Sequence, residues 1–295
     1  MKKVILITGS STGFGALMVK TFSKAGHTVV ATMRNVKDKN AKFAEALSAL
    51  PDTEVVDLDV TDEVSVNDAV KTIYAGHGKI DVLINNAGIY GGGVLEGYSV
   101  AQVQKLFDVN VWGVLRMNNA VLPIMRAARE GLIITVSSQV GRIALPLQAA
   151  YNASKFALEG LIEGSYPELI GQGVESVLIE PGGFMTEIIS KAHVNADRDG
   201  IQESYGAHVI DLKQHILEAF TKIFTEAAPD PQLIADAALS LVNTERGKRP
   251  LRTPLDPSSK GIDIEYNHAT SEIRKRWIGA YGMVESKINV VSPSK

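Results

Sequence analysis

The most informative stretch of this chain of 295 residues lies near its start and reads Val4-Ile5-Leu6-Ile7-Thr8-Gly9-Ser10-Ser11-Thr12-Gly13-Phe14-Gly15. A short apolar run that leads through glycines into a helical pattern is typical of a strand that turns into a helix. Glycines let the backbone approach a phosphate closely, and the amides that begin the helix face that phosphate. The stretch therefore predicts a dinucleotide-binding turn, the alternative being a plain glycine-serine turn. The cofactor contacts expected from it are Gly9, Ser11, Thr12, Gly13, Phe14 and Gly15.

Short apolar runs then alternate with longer helical patterns along the chain. Strands are predicted at 4–8, 28–32, 54–58, 82–85, 132–136 and 175–179, and helices at 13–25, 38–49, 62–77, 100–128 and 151–171. Several of the strand runs are apolar on both faces, as in a parallel sheet that helices cover on each side. The alternation predicts an α/β fold, a doubly wound parallel sheet of Rossmann-like type, with its ligand site at the edge where the strands end.

The pattern changes after Pro181, because residues 183–230 contain no convincing strand. Helices are predicted at 200–228, 231–244 and 267–281, and the proline-rich connection at 250–257 reads as a loop or an edge strand. No linker, composition shift or repeat marks a second domain. We therefore expect a single domain over 1–295, with a cofactor-binding core at about 2–182, a helical substrate lid at about 183–230 and a C-terminal segment at about 231–295.

Composition narrows the class of protein. Hydrophobic residues make up 45%, charged residues 21%, and the formal net charge is -3, the balance of a soluble protein without a nucleic-acid partner. The chain has no cysteine, and its six histidines form no metal-binding pair, so no metal site is predicted. The apolar run at the start is too short for a signal peptide, and no run approaches the ~20 residues of a membrane helix. We expect a cytoplasmic protein without a membrane partner.

A tyrosine and a lysine indicate the chemistry. In Tyr151-Asn152-Ala153-Ser154-Lys155 the two side chains share one helix face. A lysine cation favours the phenolate over the phenol, whose free pKa is about 10. Ser138 follows the predicted strand at 132–136 and can hydrogen-bond a substrate oxygen. The three residues predict a proton-exchanging centre beside a nicotinamide, the alternatives being an exposed helix face and an ordinary loop hydroxyl.

The glycine spacing, together with Asn85-Asn86-Ala87-Gly88, Asn110, Ser138, Tyr151 and Lys155, resembles the short-chain dehydrogenase/reductase family over about residues 2–190, and its single-domain branch in particular. The resemblance implies that Ser138, Tyr151, Lys155 and Asn110 are catalytic. Tyr151 would act as acid and base, and Lys155 would bind the nicotinamide ribose. Asn110 would hold a water that connects Lys155 to solvent, a satisfied buried amide being the alternative.

Further cofactor contacts follow from the same resemblance. Asp59 and Val60 match positions that flank the adenine, although Asp59 also lies where a helix begins. Asn86 has an alternative role in joining neighbouring strands. Residues from Pro181 to Thr186 match a motif that meets the nicotinamide. The expected contacts are Asp59, Val60, Asn86, Ala87, Gly88, Tyr151, Lys155, Pro181, Gly182, Phe184 and Thr186.

The end of the second predicted strand favours one nicotinamide cofactor. Met33 stands where the NAD-type members of the family tend to carry Asp, and Arg34 stands where NADP-type members carry a base. An arginine accommodates the 2′-phosphate of NADP, which a carboxylate would repel. NADP(H) is therefore the preferred cofactor and NAD(H) the alternative, unless Arg34 is simply a solvated residue at a strand end.

The function predicted from these residues is NADP(H)-dependent oxidoreduction that interconverts a ketone or aldehyde and an alcohol by hydride transfer. A catalytically silent NADP(H)-binding sensor is the alternative, and a sugar-nucleotide epimerase is a weaker third. The resemblance also implies a homodimer or homotetramer, against which Pro167 weighs, because proline disturbs the helix that commonly forms the interface. Substrate contacts are expected from the apolar lid residues Phe184, Met185, Ile188, Ile189 and Tyr205, and from the loops holding Tyr90, Gly91–Gly93, Gln139, Val140 and Leu145.

Overall fold

The computed structural model of the chain describes residues 1–190, 194–198 and 200–283. Its strands are β1 (Val4–Ile7), β2 (Thr28–Met33), β3 (Thr53–Asp57), β4 (Val82–Asn85), β5 (Gly131–Val136), β6 (Val174–Pro181) and β7 (Arg252–Leu255). Its α-helices are α1 (Gly13–Lys24), α2 (Ala41–Ser48), α3 (Glu63–His77), α4 (Val100–Phe107), α5 (Gly113–Ala128), α6 (Ala149–Ile170), α7 (Glu187–Ser190), α8 (Ile201–Ser204), α9 (Ala207–Lys222), α10 (Gln232–Asn243) and α11 (Ile262–Ala280).

All of these strands belong to one parallel sheet with the order β3-β2-β1-β4-β5-β6-β7. The order reverses between β1 and β4, the place where doubly wound sheets bind ligands. The predicted α/β architecture is confirmed. The proline-rich connection forms β7, the last strand at one edge of the sheet, where a proline costs no ladder hydrogen bond on the open side.

The core forms two apolar layers, one on each face of the sheet. Ile5 and Ile7 of β1 pack with α1 and α10, whereas Val4 and Leu6 pack with α3 and α5. Alternate residues of a strand point to opposite faces, so a strand that is apolar throughout is covered on both sides. Leu178 of β6 packs against Leu158 of α6, and this contact holds α6 against the sheet.

Several helices differ from the prediction. The segment predicted as one helix at 100–128 is α4 and α5 joined by a π-helical turn at Asp108–Trp112, and α11 begins five residues earlier than expected. The segment predicted at 200–228 divides into α8, α9 and a π-helical turn at Ile223–Ala227. Helix α6 continues through Pro167 to Ile170. Within the described ranges, no helix has the length and apolar character to cross a membrane.

Candidate active site

The glycine turn between β1 and α1 is packed against the end of β4. Gly9 has φ of +66°, and a Cβ atom there would lie 2.7 Å from the Cα of Ala87. A Cβ atom on Gly15 would lie 2.3 Å from the carbonyl oxygen of Gly9. The amide nitrogen of the Asn86 side chain donates to the carbonyl oxygens of Thr8 at 2.9 Å and of Gly9 at 3.0 Å. Asn86 thus joins two strand ends and holds the shape of the turn, which was the alternative role considered for it.

The carboxyl ends of the strands open onto a cavity of about 1310 Å³. All of the predicted catalytic and cofactor-binding residues line this cavity except Gly15 and Asn110. Its volume exceeds the ~300–1,000 Å³ of a typical ligand pocket, so it has room for a dinucleotide together with a second molecule. The tertiary structure therefore brings the glycine turn and the Tyr151 centre into one space.

Arg34 and Asp59 lie at the end of the cavity near β2 and β3. A guanidinium nitrogen of Arg34 is 3.4 Å from a carboxylate oxygen of Asp59, and the Arg34 side chain is half exposed. The other Asp59 oxygen accepts from the backbone and hydroxyl of Thr61 at 2.9 and 2.7 Å. Burial acts to raise the pKa of Asp59, but the hydrogen bonds from Thr61 and Arg34 outweigh it and lower that pKa. Asp59 therefore stays ionised and occupied by local partners.

Lys39 lines the same end of the cavity, and sequence reasoning missed it. The side chain of Asn40 donates to the carbonyl oxygen of Arg34 at 2.6 Å, which turns the loop after β2 back towards the strand. The signal for Lys39 was weak, because a basic residue several positions beyond a strand end has no preferred direction until the loop is folded. Two cations thus line this end of the cavity.

Ser138, Tyr151 and Lys155 meet where β5 and β6 end and α6 begins. The Ser138 hydroxyl donates to the carbonyl oxygen of Pro181 at 3.4 Å and accepts from the amide of Val140 at 3.3 Å. The Lys155 ammonium donates to the carbonyl oxygen of Val136 at 3.1 Å and lies 5.9 Å from the centre of the Tyr151 ring. The three residues predicted to form a proton-exchanging centre thus lie together in the wall of the cavity.

The protonation behaviour of Tyr151 differs from the sequence-based expectation. Burial raises the pKa of Tyr151 well above its ordinary value, although a hydrogen bond with Ser138 acts in the opposite direction. Burial also lowers the pKa of Lys155 to about 8, against the attraction of Glu159. The loss of hydration of a buried phenolate thus outweighs the hydrogen bond with Ser138. Tyr151 is a protonated phenol at neutral pH, the form that donates a proton.

Asn110 lies in the π-helical turn between α4 and α5. Its side chain accepts from the backbone amide of Ile89 and donates to the Ile89 carbonyl, both at 2.9 Å, and donates to the Ser154 hydroxyl at 3.1 Å. The amide is buried and fully used. Asn110 therefore joins the loop after β4 to α6 and reaches the centre only through Ser154.

The far end of the cavity, beyond Tyr151, is apolar. Tyr90 packs edge-on against the Tyr151 ring with the ring centres 5.1 Å apart, and Phe184 packs edge-on against Phe14 at 5.6 Å. The lid contributes the inner face of α9 and of the following π-helical turn. The apolar residues of this wall are Ile143, Leu145, Ile188, Ile216, Phe220, Ile223 and Phe224.

Not all of the predicted lid residues contribute to this wall. Phe184 and Ile188 line the cavity, but Met185 is 63% exposed. The Tyr205 hydroxyl donates to the Glu96 carboxylate at 2.9 Å on the outside of the lid, so the expectation of a substrate contact there is wrong. The side chain of Ile189 lies outside the described residues. Spacing alone did not separate the inner side of the lid from its outer side, because Met185 and Tyr205 lie outside helices, where helical periodicity gives a side chain no direction.

The loop at Gly91–Gly93 has a second role. A Cβ atom on Gly91 would lie 2.0 Å from the carbonyl oxygen of Val194, and the Gly92 amide donates to the Asn195 side chain at 3.0 Å. The Ala196 amide donates in return to the Gly92 carbonyl at 3.1 Å. Gly92 and Gly93 line the cavity as expected, but all three glycines also form the surface on which residues 194–196 of the lid rest.

A buried group of charges lies behind the centre, and we call Arg142, Glu159, Glu163, Glu180 and Arg252 the charge cluster. Arg252 of β7 contacts Glu159 at 2.9 Å, Glu163 at 2.5 Å and Glu180 at 3.2 Å. Glu180 precedes Pro181 and accepts from the side chain of Asn267 in α11 at 2.6 Å. The C-terminal segment thus contacts the elements that carry the centre. The sequence offered no signal for this, because the partners are about 90 residues apart.

The charge cluster predicts a stability that depends on pH. Burial and the neighbouring Glu159 raise the pKa of Glu180 to about 8. The folded chain therefore holds a proton that the unfolded chain releases above its own pKa of about 4.3, so this contribution to stability declines as the pH rises to about 8. We expect Glu180→Gln to gain stability relative to the unsubstituted chain over that range, by up to about 1.4 kcal/mol per pH unit. Urea unfolding at several pH values measures this.

Glu163→Gln is the control for that prediction. Burial acts to raise the pKa of Glu163, but Arg252 and Arg274 outweigh it and lower that pKa. Its ionised form therefore stabilises the fold above the unfolded pKa, so the stability difference between Glu163→Gln and the unsubstituted chain is expected to stay constant from about pH 5 upward. A Glu180→Gln difference that is equally constant would contradict the assignment of a retained proton.

Comparisons with known proteins agree with this geometry. A family model described as short chain dehydrogenase matches residues 3–197. The chain is 37% identical to 3-ketodihydrosphingosine reductase of Bacteroides thetaiotaomicron over 69% of this chain and 71% of that protein. It is 36% identical to retinol dehydrogenase 8 of Homo sapiens over 83% of this chain and 79% of that protein.

Solved structures show the same fold. A short-chain dehydrogenase from Streptomyces avermitilis superposes with a TM-score of 0.74 at 28% identity, covering 95% of this chain and 97% of that one. Other similar structures, at 26%, 25% and 28% identity, were solved with NADP in two cases and with NADH in the third.

Proposed function

The chain belongs to the short-chain dehydrogenase family, a family of nicotinamide-dependent oxidoreductases, and we propose that it uses NADP(H) to interconvert a ketone or aldehyde and an alcohol. The observation that carries the proposal is the position of Ser138, Tyr151 and Lys155 in the wall of the cavity that the glycine turn also lines. A sensor that only binds a dinucleotide has no need of a protonated phenol in that wall.

Each residue of the centre has a chemical role in this proposal. The dinucleotide, held by the glycine turn and the strand ends, supplies the hydride when it is bound. The Tyr151 hydroxyl donates its proton to the carbonyl oxygen during reduction and takes it back during oxidation. The Ser138 hydroxyl hydrogen-bonds the same oxygen and stabilises the negative charge that develops on it. The Lys155 cation stabilises the phenolate that Tyr151 becomes, since an opposite charge nearby favours the ionised form.

The two cations at the end of the cavity near β2 support the choice of NADP(H). Arg34 and Lys39 line that end, and the carboxylate of Asp59 is engaged with Thr61. A guanidinium group binds a phosphate through two parallel hydrogen bonds, and a second cation lowers the cost of burying the dianion. NAD(H) has no phosphate at this position and gains nothing from either side chain.

Arg34→Ala tests that choice. We expect the KM for NADPH to rise about 10- to 100-fold, the loss of one or two charge-assisted hydrogen bonds, while the KM for NADH changes less than about threefold. Steady-state kinetics with each cofactor measures both values. Lys37→Ala is the matched control, because Lys37 is an exposed cation of the same loop that does not line the cavity. Equal changes for NADPH and NADH would remove the argument for a phosphate site.

The apolar far end of the cavity supports a bulky, apolar substrate. The wall formed by the lid carries aliphatic and aromatic side chains at Ile216, Phe220, Ile223 and Phe224, with Lys213 and Thr221 as polar neighbours on the same helix. The names of two relatives, a reductase of 3-ketodihydrosphingosine and a dehydrogenase of retinol, point to molecules with long apolar chains. We therefore propose an apolar ketone or alcohol that fills the space beyond Tyr151. A homodimer or homotetramer and a cytoplasmic location stay predictions.

The experiment that tests the function is a panel of carbonyl compounds, from small polar ketones to long-chain and polycyclic ones, with NADPH and NADH in parallel. Cofactor absorbance reports turnover, and calorimetry reports binding. We expect oxidation of NADPH, with kcat/KM rising with apolar size because each buried CH₂ group contributes about 0.8 kcal/mol. Binding of NADPH without turnover of any compound would favour the sensor. Turnover confined to small polar ketones would contradict the proposed substrate class.

A further inference from the structure

The carboxylate of Glu159 lies directly behind the centre. Glu159 follows Lys155 by one helical turn on α6 and is 4% exposed. One carboxylate oxygen is 2.9 Å from the Nε atom of Arg252, and the other has no hydrogen-bond partner among the described residues. A buried carboxyl group with an unused oxygen is costly, so a positive charge nearby is expected to offset that cost.

Lys155 is that charge. It is 5% exposed, and the hydrogen bond recorded for its ammonium goes to an uncharged acceptor, the Val136 carbonyl. Burial lowers the pKa of Lys155 to about 8, and the attraction of Glu159 is the effect that opposes it. The other titratable or charged groups around Glu159 are Glu163 of the same helix, Glu180 of β6 and Arg252 of β7. Arg142 also belongs to this group because it contacts Glu180. None of these forms an ion pair with Lys155 in the described part of the chain.

The Glu159 side chain also has little freedom to move. A Cβ atom on Gly141 would lie 2.9 Å from the Cγ atom of Glu159 and 3.1 Å from the Ser137 hydroxyl, so the turn after Ser138 is packed directly on this glutamate. Arg252 holds the carboxylate from the other side. Arg252 belongs to the part of the chain beyond residue 197, where the match to the family model ends. The centre therefore depends on a segment outside that match.

We propose that Glu159 is a positioning residue for the reaction: Arg252 holds its carboxylate one turn behind Lys155, where its charge keeps the ammonium protonated beside Tyr151. Glu159 does not line the cavity, so it acts on the substrate only through Lys155. The proposal rests on the proposed function, since a charged Lys155 matters because it stabilises the phenolate that Tyr151 becomes. Arg252 contributes by fixing the direction of the carboxylate.

Glu159→Gln keeps the shape of the side chain and removes its charge. The attraction of Glu159 is then lost while the burial of Lys155 remains, so the pKa of Lys155 falls. We expect Lys155 to lose its proton at a pH about 1 unit lower than in the unsubstituted chain, the usual effect of losing a close opposite charge. The pH above which kcat declines moves down with it, and kcat at about pH 8 falls roughly fivefold.

Two measurements follow this shift. Carbon-13 NMR of protein labelled at the lysine Cε atoms gives the titration midpoint of Lys155, whose resonance is identified by its loss in Lys155→Arg. The pH profile of kcat gives the same quantity from catalysis. Glu163→Gln is the matched control, because it removes an equal charge from Arg252 without facing Lys155. Glu159→Asp keeps the charge and is expected to restore most of the midpoint, which a purely structural role of the side chain would not require.

The result that overturns the proposal is a Lys155 midpoint in Glu159→Gln equal to that in Glu163→Gln. If Glu159→Gln does not fold, Glu159→Met replaces it, since methionine has a similar length and adds no polar atom of its own at this buried position. The same downward shift is expected there, and its absence counts equally against the proposal. If the unsubstituted chain reduces no carbonyl compound, the proposed function fails, but the NMR midpoints still decide the role of Glu159.

Discussion

Tyr151→Phe is expected to lower kcat/KM for carbonyl reduction by about 10³-fold, the range that a positioned proton donor contributes. The substitution removes the hydroxyl and leaves the ring, which keeps its edge-on contact with Tyr90 at 5.1 Å. The buried phenol holds its proton at neutral pH, so the substitution removes the proposed acid of the reaction together with the hydrogen bond to Ser138. Steady-state kinetics with NADPH and an apolar ketone from the panel measures the effect.

Tyr90→Phe is the matched control for that experiment. It removes the hydroxyl of the neighbouring ring in the same cavity, and burial raises the pKa of Tyr90 in the same direction. We expect less than about a tenfold change in kcat/KM, because a hydroxyl that only borders the substrate contributes at most one hydrogen bond. Binding of NADPH, followed by its fluorescence, should persist in both variants. Turnover by Tyr151→Phe at the level of Tyr90→Phe would assign the proton to another donor.

Gly15→Ala is expected to have the second largest effect, on both stability and cofactor binding. The added methyl group would lie 2.3 Å from the Gly9 carbonyl oxygen and 2.6 Å from the amide nitrogen of Asn86. The first of these atoms is backbone, and the second is held by hydrogen bonds to Thr8 and Gly9, so the turn itself must open. We expect a loss of about 1–3 kcal/mol of stability and at least a roughly tenfold weaker binding of NADPH.

Gly76→Ala provides the comparison for Gly15→Ala. Gly76 lies in α3, and a Cβ atom there meets nothing within 4 Å. Alanine loses less backbone freedom on folding than glycine, so this variant should be as stable as the unsubstituted chain or gain up to about 1 kcal/mol. Urea unfolding gives the stabilities, and isothermal calorimetry gives the affinity for NADPH. Equal behaviour of the two variants would show that the packing at the turn tolerates a methyl group.

The features predicted correctly depend on residues that are close together in the sequence. The β1 turn needs three glycines within seven residues, and the face shared by Tyr151 and Lys155 needs only the period of a helix. The order of apolar runs predicted the parallel sheet, because right-handed connections leave few ways to arrange it. For Asn110 a satisfied buried amide was the alternative considered, and its amide does hold Ile89 and Ser154.

The features that sequence reasoning missed are contacts between distant parts of the chain. Lys39 reaches the cavity because the loop after β2 folds back, and Gly91–Gly93 carry the lid because residues 194–196 rest on them. The direction of the Tyr151 pKa was wrong for the same reason. A neighbouring lysine is visible in the sequence, but the loss of water around a buried phenol depends on every element that packs over it.

The order of strands and helices, the glycine turn and the spacing of Ser138, Tyr151 and Lys155 could all be predicted from the sequence. The reason is that local periodicity and glycine stereochemistry depend on neighbours in the chain. The charges that pack next to these three residues could be identified only from the tertiary structure. Glu159, Glu180 and Arg252 are brought together from α6, β6 and β7. Electrostatic interactions act through space and strengthen with burial, and neither distance nor burial is set by position along the chain.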